Sequence, residues 1–422
     1  MTVRHHSTGL HQVPRDVRLL LSTSALVGFT VWGGMYTVIL NLYLLRLGYD
    51  SGYIGLINGL GAFTVAIFAL LAGLAGDKVG TRRLLIIGMV LMVVGYFGFP
   101  LAGYASAGTR SALFLVTYFV GHIGMSFYIV NASPFLTALT QGETRALAFA
   151  WQTGLTALAA FAGSLIAGFL PGAFAVLQGG SLADPAPYHV TLLVAGGLLS
   201  AAIVPLVATD RAEVSTTTRT PQATGNAPLG IIIALSLVSL LTIIGEGTAR
   251  TFFNVYFDTR LAVPTARIGA VAALAQLLAA GTSLATPALI DRIGTAKATL
   301  MGGLIKTLCL LPLALIGHWI PAGLGLMGLM AFAGILRPAF TIYHQESVAP
   351  HWRAAISGAI TMATAMGFFI AAFVGGNLIP LIGYRGLFMI GAVASLAGML
   401  LFWARFVIPA RSAESVGAEL GP

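Results

Sequence analysis

Charge is scarce in this sequence: Asp, Glu, Lys and Arg together make up 8% of its 422 residues, against roughly 25% in a soluble domain. So few charges exclude an ordinary water-soluble fold. Cysteine is nearly absent as well. Cys309 stands alone, so no disulfide framework and no cysteine-based metal centre is available. Catalytic signatures are missing too. No Gly-x-Ser-x-Gly occurs in a credible setting, and no His and carboxylate cluster has metal-ligand spacing. Gly323-Leu324-Gly325-Leu326-Met327-Gly328 spells a dinucleotide fingerprint, but no strand precedes it and it lies inside an apolar helical run. Neither a cofactor nor a metal is expected, and a polytopic membrane enzyme is disfavoured.

What the chain has instead is apolar length. Hydrophobic residues make up 57% of it, gathered into twelve runs between residues 17 and 408, each long enough to cross a hydrocarbon core of roughly 30 Å. The last two runs are 354–380 and 386–408. The lipid bilayer is therefore the expected surrounding. A net charge of +9 raises the question of nucleic acid, but the basic residues sit in short loops with no basic surface domain, so no nucleic-acid partner is expected. They report orientation instead. With both termini cytoplasmic, 14 of the 22 Lys and Arg residues fall on the cytoplasmic side and five on the other, which predicts a multi-pass protein of the cell membrane in that orientation.

The runs repeat. Asp77-Lys78-Val79-Gly80-Thr81 returns as Asp291-Arg292-Ile293-Gly294-Thr295, Asn41-Leu42-Tyr43 as Asn254-Val255-Tyr256, and Ile54-Gly55 as Ile268-Gly269, at offsets of 213 or 214 residues. Such a register implies tandem duplication of a six-pass unit. The polar stretch 209–228, rich in Ser, Thr, Pro and Gly, reads as a cytoplasmic linker. It divides an N-terminal six-helix bundle, 1–208, from a C-terminal one, 229–422.

The loop after the second run resembles the signature of the major facilitator superfamily, Gly-x3-Asp-Arg/Lys-x-Gly-Arg-Arg/Lys. Gly73, Asp77, Lys78, Gly80, Arg82 and Arg83 match it, with Thr81 where the family usually has its first arginine. In the second copy Pro287 replaces the glycine, while Asp291, Arg292, Gly294 and Lys297 remain. The resemblance implies an all-α integral membrane fold of twelve transmembrane helices in two pseudo-repeated bundles. It also implies a central cavity lined by the first, fourth, seventh and tenth helices, and cytoplasmic gate loops at the two motifs. A carboxylate ending one helix and basic residues opening the next can form an ion pair only while the cytoplasmic gap is closed, so Asp77 is read as a latch. Asp77→Asn is then expected to slow turnover while leaving substrate affinity nearly unchanged, a difference that transport kinetics in vesicles would register.

Ionisable residues inside a membrane cost about 2.5–3.5 kcal/mol or more and should face a cavity or a partner. Glu246 and Arg250 lie in the seventh run, Arg337 in the tenth and His122 in the fourth; Lys306, in the ninth, departs from that pattern. Ser236, Ser239, Glu246, Arg250 and Asn254 share one arc at about 100° per residue. With Asn41 and Tyr36 on the first run, Glu246, Arg250, Arg337, His122 and Asn254 form the candidate coupling or substrate-binding set. Trp32 and Tyr128 are further candidates for aromatic walls. Glu246 is the one acidic residue deep in a run, and three roles stay open: a proton carrier, a structural partner for Arg337 across the seventh and tenth helices, or a neighbour of arginines that bind an anion.

The leading expectation is alternating-access transport of a small molecule by a monomer, as proton-coupled efflux of a hydrophobic compound. The alternative is a proton symporter or facilitator for a polar or anionic metabolite. Drug and proton antiporters of the family carry an arginine early in the fourth helix and a Gly-Pro pair in the fifth. This chain has Val120-Gly121-His122 at the first place, and Pro171 falls too late for the second.

Overall fold

The computed structural model describes residues 14–210 and 228–408. The N-terminal tail, nearly all of the 209–228 linker and the C-terminal tail lie outside the described residues, as do the side chains of Asp77 and Lys78. Lipid offers no hydrogen bonds, so each crossing must satisfy its own backbone, and helices do so. The first crossing is built from α1 (Arg15–Thr30) and α2 (Met35–Arg46). The two are separated where Gly33 takes φ 82°, a conformation open to glycine but not to the right-handed helix. The next four crossings are α3 (Ser51–Val79), α4 (Thr81–Ala102), α5 (Ala107–Ala138) and α6 (Gly142–Gln178), and α7 (Ala186–Ala201) with α8 (Ile203–Val207) completes the first set.

The second set opens with α9 (Leu229–Thr259) and α10 (Thr265–Ile293). It continues through α11 (Thr295–Leu308) with α12 (Leu311–Leu315), then α13 (Trp319–Glu346). The last helix, α14 (Arg353–Phe402), has 50 residues. At 1.5 Å per residue such a helix runs to roughly 75 Å, more than twice a hydrocarbon core. Gly383, at φ 71°, breaks it between the two runs expected there. Eleven apolar helical spans among the described residues thus make twelve crossings.

The repeated turns share a physical cause. Gly80 and Gly294 carry φ of 91° and 81°, the left-handed region that stops one helix and lets the next begin at once. Six crossings separate the two turns, so they lie at the same end of the molecule. At that end Arg82 donates to the carbonyls of Val207 and Thr209 at 2.8 and 2.7 Å, placing a cation where the sixth crossing finishes.

Between the sets, α3 packs on α14 and α6 on α10. Both crossings rest on glycine. A Cβ on Gly269 would come within 2.6 Å of Gly168 Cα, and one on Gly55 within 3.0 Å of Gly376 Cα. Gly55 and Gly269 are repeat mates, so one ancestral glycine serves both approaches, as small residues do wherever membrane helices meet closely.

Candidate functional site

A cavity of about 790 Å³ lies between the two sets of helices, a volume suited to a small organic molecule. Its deep end is sealed. Among the described residues, every hydrogen bond or ion pair between the sets lies at the end away from the twin turns. Arg46 grips Asp258 with both guanidinium nitrogens, at 2.8 and 2.6 Å. Tyr188 meets Thr265 at 3.0 Å, and Ser51 donates to the Gly376 carbonyl at 2.9 Å. The cavity continues the other way, past Ser239, Thr361 and Gln345, toward the end that carries the turns.

The paired asparagines form part of this seal. Asn41 Nδ2 donates to the Thr251 carbonyl at 2.7 Å, and Asn254 Nδ2 donates to the Val38 carbonyl at 3.1 Å. Thr251 and Val38 are related by the same 213-residue offset as the asparagines. The two bonds are therefore one interaction made twice about a pseudo-twofold axis, as symmetry requires of matched surfaces. Asn58 holds Asn41 from behind, donating to its side-chain oxygen at 2.9 Å. Asn41 also borders the cavity, whereas Asn254 lies outside the lining.

Charge enters from the second set alone. Glu246 is 1% exposed and pairs with Arg337, with Arg250 at 3.2 Å and with Lys306 at 3.4 Å. Lys306 also donates to the Thr242 carbonyl at 3.1 Å. These four side chains come from α9, α11 and α13. Their exposures differ in a telling way: the Lys306 side chain is 2% exposed, Arg250 26% and Arg337 54%. Lys306 and Glu246 are buried against each other, and the two arginines reach into the cavity. The formal charge of the cluster is one minus against three plus.

The wall from the first set mixes aromatic with aliphatic side chains and bears no formal charge. Tyr36, Tyr96, Tyr118 and His122 line it. The His122 ring lies 4.1 Å from that of Tyr118 and 5.6 Å from that of Tyr96, and Tyr36 meets Tyr96 edge-on at 5.1 Å. His122 Nδ1 donates to the Tyr118 carbonyl at 2.9 Å, which leaves Nε2 to accept from the Tyr96 hydroxyl at 3.3 Å. Both ring nitrogens of the neutral imidazole are thus satisfied. Trp32, in the break between α1 and α2, borders the same cavity and is 42% exposed.

Of the candidate set, the structure brings Glu246, Arg250, Arg337, His122, Tyr36 and Asn41 to one cavity. It assigns Lys306 the partner that periodicity could not supply. Tyr128 bonds Ser24 at 2.9 Å within the first set and does not border the cavity. The gate-loop candidates Asp291, Arg292, Lys297 and Arg83 make no side-chain hydrogen bond or ion pair among the described residues. The break in the first crossing went unread, although the Gly33-Gly34 pair was its available signal.

The sequence pattern of the Major Facilitator Superfamily matches residues 20–372. Among curated proteins no sequence relative matches the chain. Among solved structures, the nucleoside transporter NupG is similar at a TM-score of 0.70 and 17% identity, covering 93% of this chain and 99% of that one. A mutant of NupG reaches 0.73 at 15% identity, covering 92% and 100%. A POT family transporter in complex with 5-aminolevulinic acid gives 0.72 at 14%, covering 94% and 97%.

Proposed function

The chain belongs to the Major Facilitator Superfamily, whose members are membrane transporters, and from that premise we propose that its cargo is a small organic anion carried by alternating access. The charge inventory of the cavity supports this reading. One carboxylate faces three cations, and the buried lysine suffices to balance it. Arg250 and Arg337 remain, the second more than half exposed, and guanidinium groups suit carboxylate or phosphate oxygens in paired hydrogen bonds. Charges held at such depth are costly, and a cargo of opposite sign offsets part of that cost. A purely hydrophobic cargo would leave the excess positive charge of the cluster unbalanced.

The halves 1–208 and 229–422 rock against each other about the central cavity, so that it opens alternately to each side and the seal parts in the alternate state. Under the positive-inside orientation the open end faces the cytoplasm.

Arg337→Gln tests the reading. Removing one charge-assisted contact of about 1.5–3 kcal/mol is expected to raise the half-saturating concentration of a transported carboxylate at least tenfold in proteoliposome counterflow. The thermal midpoint should shift little, because Glu246 keeps Arg250 and Lys306. If neutral ester analogues exchange as well as the acids, and the variant treats both alike, the anion assignment fails.

A further inference from the structure

We infer that the anion carries an aromatic ring, so that the cargo is an aromatic carboxylate held by its charged group on one wall and by its ring on the other. The inference rests on the anion reading above and adds what the opposite wall contributes. The two walls differ in kind. All formal charge in the lining comes from the second set of helices, at Glu246, Arg250, Lys306 and Arg337, while the first set offers Trp32, Tyr36, Tyr118, His122 and Met125 among aliphatic residues such as Val31 and Ile129. Across the cavity from the arginines, an anion's body meets aromatic rings and a thioether set among aliphatic side chains, groups that favour π faces and ring edges.

Depth and rigidity support the same conclusion. The 213-residue offset that relates Asn41 to Asn254 relates Gly33 to Glu246, so the break bearing Trp32 and the charged cluster occupy equivalent places in the two halves. Where the ancestral helix runs on as α9 it carries the carboxylate; where it unwinds at φ 82° it presents an indole 42% exposed. In the same lining the Tyr96, Tyr118 and His122 rings pack on one another, with Tyr118 9% exposed and Tyr96 2%. A wall fixed by its own hydrogen bonds loses little freedom when a ring stacks on it.

Matched probes separate the two parts of the claim. Phthalate and cis-cyclohexane-1,2-dicarboxylate share charge and ring size and differ in aromaticity; dimethyl phthalate keeps the ring without the charge. Binding to the purified full-length protein is measured by calorimetry and by thermal stabilisation. Phthalate, or benzoate against cyclohexanecarboxylate for the monoanion, is expected to bind about tenfold more tightly than its saturated partner. Trp32→Ala and Tyr118→Leu should erase that preference, Tyr118→Phe should preserve it, and Arg337→Gln should weaken both members of a pair alike. Equal binding of the aromatic and saturated acids overturns the inference while the anion reading stands, as does failure of every aromatic acid to bind. Dimethyl phthalate binding as well as phthalate, with Arg337→Gln without effect, overturns the anion reading itself.

Discussion

Replacing Glu246 with glutamine is expected to be among the most damaging single substitutions in the chain, lowering stability by about 3–5 kcal/mol, the usual cost of breaking a buried ion pair from one side. The reason is local. The carboxylate is 1% exposed and has Arg250 at 3.2 Å and Lys306 at 3.4 Å, besides Arg337. Without it three cations confront one another, and Lys306, 2% exposed, has little access to water. The arginines would turn outward; the lysine would keep only the Thr242 carbonyl. A second change identifies which cation is structural. Adding Lys306→Met to Glu246→Gln removes the stranded charge and should restore more than half of the lost thermal midpoint in detergent. Adding Arg337→Gln should restore less, since that side chain is already half in the cavity. Contacting residues are expected to couple in such a cycle. A single variant as stable as the parent, or a double variant no better than the single, would show that Lys306 and Glu246 do not depend on each other.

How much of this was legible in the sequence follows from what periodicity can encode. The stripe on the seventh crossing follows from spacing along one helix, so Glu246 and Arg250 were readable as neighbours. The same stripe placed Asn254 with them, yet two turns farther along the helix leaves the cavity and enters the seal. Spacing fixes direction around an axis but not where a cavity ends. Lys306 lies on another helix altogether, and its pairing depends on how α11 rests against α9, which no single-helix pattern contains. Repeats carry longer-range information. The matched asparagines and the matched glycines at 55 and 269 revealed the duplication, but not that these positions are where the halves meet. Their bonding had to await the arrangement of the two sets, because each donor finds its acceptor in the other copy. The twelve crossings were readable even though α14 runs through two of them, since Gly383, followed by Tyr384 and Arg385, lies in the short gap between the apolar runs. The aromatic wall was partly readable: Tyr36 and Trp32 stand out on the first run, but the meeting of His122 with Tyr96 and Tyr118 requires the third and fourth crossings to be packed.

The largest conformational effect is expected from removing both asparagines of the seal, Asn41→Ala with Asn254→Ala. Each loses its short hydrogen bond across the seal, at 2.7 and 3.1 Å, with a net contribution of about 0.5–1.5 kcal/mol. In the alternate state, where the sets part at this end, both amides would be solvated, so the loss falls on the sealed state alone. The balance between states should then shift by about 1–3 kcal/mol, or roughly five- to 150-fold. Arg46 and Asp258 remain as a bidentate pair, so the seal weakens without vanishing. The single cysteine makes the shift measurable. In a Cys309→Ser background, Val38→Cys places a thiol that is fully buried beside the seal, and its rate of labelling by an impermeant maleimide follows the fraction of molecules open at that end. That rate should rise by the same factor in the double variant and by about its square root in either single one, because the two bonds are equivalent by descent. A substrate added from the twin-turn side should bind correspondingly less well, since the state it selects has become rarer. Labelling that stays at the parent rate would mean that the glycine crossings and the Arg46 pair hold the end shut, with the asparagines contributing only to folding.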